Sequence, residues 1–381
     1  MKKTIVTLMV LLIAVLFAAC GSTPTQVDLT GVTSYYVRAN GSDSNAGTSE
    51  DAPFRTLAKA LQIASNTSVK KITVIGVLDG SMTTEDAEKV KPSSVRNIIK
   101  SMDATGGQDI GQVITSNIGV AQIGGSYDEP NPQEILITGK PDASAGEKAV
   151  LTTRTGCPLQ ILNTAIRLEN IEISGCQDRR WAAILVARGD LTLARGARIT
   201  GNSCLVAVYV HNGTVILRDN AEISNNESRD NVGIYFENGS VGIMLDNSTV
   251  TNNKASNNGG GIALSGSTLI MEGNSSVSGN SAGNGGGGII TFTDTANGYI
   301  SRIIITDNAS VTKNSAKLGG GILLQDQLYL RGNARITENT ATTEGGGIYG
   351  ITDNALISKG ENVIISDNHA PSVPNINFTF D

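Results

Sequence analysis

Groups that could do chemistry together are sparse in this chain of 381 residues. It has two histidines, His211 and His369, and four cysteines, Cys20, Cys157, Cys176 and Cys204. A histidine base works only within hydrogen-bond reach of the group it serves. One histidine lies beside a turn signal and the other near the carboxy terminus, so they do not share a site, and each is read as a surface turn residue. The three cysteines beyond Cys20 lack zinc-ligand spacing, and an odd number allows at most one disulfide among them. Asp219, Asp246 and Asp307 take comparable places in different segments and could line up for calcium. Asp is also an ordinary turn residue, and Gly196, Gly273 and Gly332 fill the same place elsewhere, so the turn reading is preferred. No Walker loop, zinc motif or nucleophile elbow occurs. The sequence therefore nominates no catalytic residue, no metal ligand and no cofactor.

What does recur is structural. Ile-Thr-Gly-Asn at 199–202 returns as Ile223–Asn226, Val250–Asn253, Val277–Asn280, Val311–Asn314, Ile336–Asn339 and Ile365–Asn368. The intervals between the final asparagines are 24, 27, 27, 34, 25 and 29 residues. Ile173-Ser174-Gly175-Cys176 fits the same frame with Cys in the Asn place. At fixed phase stands Gly-Gly-Gly-Ile, at 259–262, 286–289, 319–322 and 345–348, with degenerate forms at Ala183-Ile184, Ala207-Val208 and Gly233-Ile234. A third block alternates: Leu191-Thr192-Leu193, Val215-Ile216-Leu217, Ile243-Met244-Leu245, Leu269-Ile270-Met271, Ile303-Ile304-Ile305 and Leu328-Tyr329-Leu330. Three short β-prone segments per repeat, separated by Gly, Asn and Asp, predict an all-β right-handed parallel β-helix. Asn202, Asn226, Asn253, Asn280, Asn314, Asn339 and Asn368 are then expected to stack as a structural ladder, since an amide both donates and accepts.

Four stretches organise the chain: a leader at 1–19, a tether at 20–34, an amino-terminal cap with first strands and an insertion at 35–134, and β-helix repeats at 135–381. In the third stretch, Tyr36 to Leu61 reads as a strand, a Gly/Asn loop and a short helix that would cover the open end of the solenoid. Residues 79–132, including a charged stretch from Thr84 to Met102, read as an insertion or extended cap. In the leader, Lys2 and Lys3 precede an apolar run from Ile5 to Ala19, the order of a secretory signal. It ends in Leu16-Phe17-Ala18-Ala19-Cys20, which resembles the lipobox of bacterial lipoproteins, with Phe17 where that pattern prefers Leu. The resemblance implies lipidation of Cys20, a membrane partner through that anchor, and, with Gly21 following, an outer-membrane destination. Beyond the leader, 27 basic residues face 35 acidic ones, a net charge of −8 that argues against a nucleic-acid partner.

The segment from Tyr36 to Leu61 also resembles the opening of secreted pectin-lyase-like β-helix proteins, some of them polysaccharide lyases. The paired Ile-Thr/Ser-x-Asn and Gly-Gly-Gly-Ile blocks resemble the repeats of the polymorphic outer membrane protein family, which includes adhesins; here Gly replaces Ala, and Ile or Val replaces Phe. These resemblances imply an envelope-located fold that hosts lyases, hydrolases and adhesins alike. Glycoside hydrolysis needs two carboxylates about 5 to 9.5 Å apart. None of the Asp-Asp, Asn-Thr-Asp and Gly-His-Gly strings of polygalacturonase-like enzymes, which supply them there, occurs in this sequence, and the Trp-Ile-Asp-His of pectate lyases is missing too. The expectation is therefore a non-enzymatic binding, adhesin-like or structural module, its partner a host or envelope protein or a glycan. The alternative is a polysaccharide lyase or hydrolase.

One column is expected to carry such a partner. If the Ile or Val after each glycine block points inward, the next residue points outward. Those residues are Leu185, Tyr209, Tyr235, Ala263, Ile290, Leu323 and Tyr349, an apolar and aromatic stripe. It is either a partner surface or a face covered by an intramolecular loop.

Overall fold

The residue before each member of the asparagine column sits in the left-handed backbone region: Gly201, Asn225, Asn252, Gly279, Lys313, Glu338 and Asp367 have φ between 54° and 66°. Gly175 does the same ahead of Cys176, with φ 77°. One left-handed residue turns the chain sharply enough to end one short strand and start the next. The tetrad is thus a corner, and its repetition winds the chain.

The computed structural model describes residues 29–80, 121–124, 134–154, 156–294, 298–351 and 355–376, with 121–124 as backbone only. The leader, Cys20, the start of the tether and the Thr84–Met102 stretch lie outside the described residues. The chain divides into two units, Met1–Val32 and Thr33–Asp381. Of the first, only 29–32 are described, a turn in which the Val32 amide donates to the Leu29 carbonyl at 3.0 Å. No helix among the described residues is long and apolar enough to cross a membrane.

The second unit is a right-handed parallel β-solenoid. Its strands stack into an eleven-stranded sheet (sheet 1, Tyr35–Arg38 to Leu356–Lys359), a ten-stranded sheet (sheet 2, Val77–Asp79 to Ile364–Ser366) and a nine-stranded sheet (sheet 3, Ala121–Gly124 to Ile348–Gly350). These are the three strands of each repeat. A fourth sheet of five short strands, from Glu227–Ser228 to Thr340–Glu344, fills the run between the asparagine corner and the glycine block. Val232, Ala255, Ala282 and Ala316 form a small apolar cluster there. Inside the coil the strands bury Ile184, Val208, Ile262, Ile289 and Ile322 from sheet 3 and Leu191, Leu269, Ile303 and Leu328 from sheet 1.

Stacking begins earlier than the repeats suggest. Tyr35–Arg38 pairs in parallel with Lys71–Ile75, which pairs with Ile135–Lys140, so the coil starts at Tyr35 and not near Ile135. The reason is that these first turns carry β-prone strands without the Asn and Gly corners by which later turns are recognised. Helix α1 (Leu57–Ser65) buries Leu57, Ala60, Leu61 and Ala64, and the Thr56 side chain caps it by accepting from the Lys59 amide at 3.2 Å. It packs against Tyr35–Arg38 and Ala121–Gly124, the first strands of sheets 1 and 3, and so covers the edge where the coil opens.

Candidate interaction surfaces on the outer faces of the solenoid

The asparagines meet inside the coil. Each Nδ2 donates to the Oδ1 of its counterpart in the next turn at 2.9 to 3.0 Å, from Asn202 through Asn226, Asn253, Asn280, Asn314 and Asn339 to Asn368. Each Nδ2 also donates to a carbonyl in the preceding turn, as Asn280 does to Val250 at 2.9 Å. Each Oδ1 additionally accepts the backbone amide of the asparagine before it. All seven are buried, and their amide chemistry is consumed by one another. The third glycine of each block leaves room for this column. A Cβ on Gly261, Gly288, Gly321 or Gly347 would stand 2.8 to 3.0 Å from the Nδ2 of Asn280, Asn314, Asn339 or Asn368. The two repeat blocks are therefore halves of one packing unit.

The stripe residues stand in a single register on sheet 3: Leu185 opposite Tyr209, then Tyr235, Ala263, Ile290, Leu323 and Tyr349. They are not an open surface. Leu185 and Ala263 are fully buried, Ile290, Tyr209 and Leu323 nearly so, and only Tyr235 and Tyr349 are partly exposed. The glycine blocks do not leave the neighbouring backbone accessible. The first glycine of each block has a left-handed φ, and at Gly286, Gly319 and Gly345 it brings bare backbone onto the stripe residue four positions later. A Cβ at Gly286 would lie 2.5 Å from that of Ile290, and one at Gly345 would lie 2.3 Å from that of Tyr349. Ala263, Ile290 and Leu323 thus form an apolar cluster of their own, with Tyr235, Phe292, Leu318 and Tyr349 at its margin. The Tyr349 hydroxyl is hydrogen-bonded to Glu344, which raises its pKa. Nearer the amino-terminal end, Leu185 and Tyr209 pack with Trp181, Leu162 and Ala187, and Tyr209 meets Tyr235 edge to face at 5.2 Å.

His211 is also corrected. It ends the strand Val206–His211 on this buried face, only 4% exposed, and its Nδ1 lies 2.8 Å from Glu237 Oε1 in the next turn. His369 is exposed near the last turn. Asp219, Asp246 and Asp307 share left-handed corners with Gly196, Gly273 and Gly332. The Asp246 carboxylate accepts the Asp219 amide at 2.9 Å, and that of Asp307 accepts the Gly273 amide at 3.0 Å, which is turn chemistry. Among the described residues, no group of three or more His, Cys, Asp and Glu is placed to hold a metal ion. Two of the carboxyl groups in ion pairs have lowered pKa values. The Arg38 guanidinium holds the Asp142 carboxyl well below its ordinary range. For Asp178, burial works to raise the pKa and is outweighed by Arg180 at 2.7 Å and two backbone amides.

An accessible apolar column does exist, on a different sheet. In sheet 1 Thr192, Ile216, Ile243, Ile270, Ile304 and Tyr329 stand in one register, so the block at 243–245 is shifted by one from the expected alternation: Ile243 joins the column and Met244 is buried. The flanking side chains Val215, Leu217, Leu269, Met271, Ile303 and Ile305 fill the interior, so alternation turns the middle ones outward. Thr192 is buried, whereas the four isoleucines and Tyr329 are partly exposed. Their outward neighbours Val241 and Leu245 are partly exposed too, and the exposed guanidinium groups of Arg218, Arg302 and Arg331 edge the face. The sequence carries the signal for this column in the apolar middle letter of the triplets at 215–217, 269–271, 303–305 and 328–330, where an outward position is ordinarily polar.

The family model for the right-handed β-helix region matches residues 144–275. The model for the Chlamydia polymorphic membrane protein repeat matches residues 333–351, a segment holding Asn339 and Gly345-Gly346-Gly347-Ile348 together. The fold is a right-handed parallel β-helix, and one of its repeats is similar to the polymorphic membrane protein repeat. A search of curated proteins finds no match. Among solved structures, a GH136 lacto-N-biosidase from Eubacterium ramulus is similar at 11% identity and a TM-score of 0.26, over 89% of this chain and 68% of that one. Similarity at that level carries no argument about activity.

Proposed function

We propose that this chain is an envelope-anchored, non-enzymatic binding module that meets a second copy of itself through the outward column of sheet 1. The observation that carries this reading is the row of Ile216, Ile243, Ile270 and Ile304, one residue per strand and partly exposed along one register. Strands repeat at about 4.8 Å, so five such side chains including Tyr329 span roughly 20 Å. A row of identical side chains at a constant interval is complementary to itself when shifted by half an interval. The face is aliphatic with a single tyrosine, which suits another protein row better than a sugar ring. It is also small: a stable complex buries about 800 Å² per partner, well beyond what one such row offers. A single contact is therefore weak, and it becomes effective when many copies are held on one membrane. Acylation at Cys20 would hold them there, and the match to a polymorphic membrane protein repeat supports an envelope location.

The test displays the full chain on cells and compares it with Ile243→Ser/Ile270→Ser. Wild-type cells should aggregate and the variant should not, at unchanged melting temperature. Dispersed wild-type cells, or equal aggregation by both, would overturn the reading. Release of reducing ends or unsaturated uronides from polysaccharides by the purified chain would replace it with the enzymatic alternative.

A further inference from the structure

Three cysteines gather in consecutive turns near the amino-terminal end of the coil. Cys157 and Cys204 each stand two residues ahead of a sheet 3 strand, Leu159–Leu162 and Val206–His211, and each donates its thiol to the carbonyl two residues on, at 3.1 Å. Cys176 heads the asparagine column, with its amide on Asn202 Oδ1 at 3.0 Å and its carbonyl accepting the Ser203 amide at 2.8 Å. That bond sets Cys176 beside Cys204; the Cys176 thiol donates to the Gly156 carbonyl at 3.6 Å, and once Cys176 is ionised the Cys204 thiol can donate to it. Cys157 has no such partner thiol; it reaches the Ala183 carbonyl at 3.7 Å instead. All three are buried and reduced here.

We propose that Cys176 and Cys204 are a disulfide-forming pair, with Cys157 left as the free thiol. The pair is chemically asymmetric. The hydrogen bond from Cys204 lowers the Cys176 pKa, whereas the same contact and burial raise that of Cys204. Cys176 is therefore the attacking thiolate. It displaces one thiolate from a low-molecular-weight disulfide and forms a mixed disulfide. The Cys204 thiol then gives up its proton and attacks the Cys176 sulfur, expelling the second thiolate. Two small thiols leave, carrying the two protons, and one S–S bond has passed from the small molecule to the protein. Burial means that the exchange needs these turns to loosen, as they do during folding or under mild denaturant. Closing the loop between positions 176 and 204 restricts the unfolded chain and so stabilises the first repeats.

The test does not depend on export or on any partner. Purified full-length Cys20→Ala chain is incubated with oxidised glutathione in urea below its unfolding midpoint, quenched in acid, alkylated under denaturing conditions and mapped by mass spectrometry. The expected result is a cross-linked peptide pair carrying Cys176 and Cys204, an alkylated Cys157, and a urea midpoint above that of the reduced chain. Cys157→Ser should give the same bridge, and Cys176→Ser should leave Cys204 without a protein partner. Three alkylated cysteines, stable glutathione adducts without a bridge, or a bridge that uses Cys157 would each overturn the assignment.

Discussion

Replacing Asn280 by Leu removes one rung from the middle of the ladder while keeping the number and branching of the side-chain heavy atoms. Four hydrogen bonds disappear. The Asn280 amide no longer donates to Val250 at 2.9 Å or to Asn314 at 3.0 Å, and it no longer accepts the Asn253 backbone and side-chain amides, both at 3.0 Å. Asn253 Nδ2 retains Ile223 as acceptor and Asn314 Oδ1 retains the Asn280 amide, so those two groups stay satisfied. The Asn253 backbone amide loses its partner outright, and the Val250 carbonyl loses a donor. Each buried group left unmatched costs about 1 to 3 kcal/mol, and the apolar leucine returns part of that, for a net loss of about 3 kcal/mol. Urea unfolding followed by far-ultraviolet circular dichroism reads this as a lower midpoint. Asn274→Leu is the control. Asn274 belongs to an exposed run of asparagines in which it donates to Asn247 at 3.2 Å, and it should change stability by less than about 0.5 kcal/mol. Equal midpoints for the two variants would refute the argument that the buried ladder holds the corners.

Further outcomes follow from the same geometry. Gly288→Ala puts a methyl group 2.6 Å from the Gly321 carbonyl and 2.8 Å from Asn314 Nδ2, and should lower the urea midpoint by the equivalent of about 1 to 3 kcal/mol. Glu338→Gly relieves a left-handed φ of 59° and gives up only an exposed 3.7 Å ion pair with Lys313, so the midpoint should rise by the equivalent of about 0.5 to 1 kcal/mol. Asp178 has a depressed pKa in the fold, so its contribution is present above the ordinary carboxylate value near about 4 and is lost as pH falls through the lower folded value. Asp178→Asn should therefore flatten the stability profile in that acid range. Cys20→Ala should abolish fatty-acid labelling and release the chain from the membrane fraction.

The regular turns were readable because their corners are chemically narrow. A left-handed residue followed by a buried amide leaves few choices, and the Asn and Gly columns recur accordingly. The outward direction of Leu185, Tyr209 and Ile290 was readable from alternation, but their burial was not. For Ile290 it comes from glycine backbone lying against its side chain, which a residue without a side chain does not announce, and for Leu185 and Tyr209 from packing with Trp181. His211 was misread for a similar reason, since its environment is set by Glu237, 26 residues later. Ile216 and Ile270 stand between core side chains, so their apolar character alone does not mark them as outward. The first turns, from Tyr35 to Ile75, lack the corner residues and were recognisable only through their pairing.

The claim that the isoleucine row of sheet 1 joins copies of this chain is tested most directly on vesicles carrying the acylated chain, by light scattering as copy number per vesicle is raised. Wild-type vesicles should cluster steeply above a threshold density. Vesicles bearing Ile243→Ser/Ile270→Ser should stay dispersed at the same density, and the buried-stripe substitution Leu323→Ser should lower stability first. Clustering by the Ile243→Ser/Ile270→Ser chain at the wild-type threshold, or no clustering by the wild type, would contradict the account.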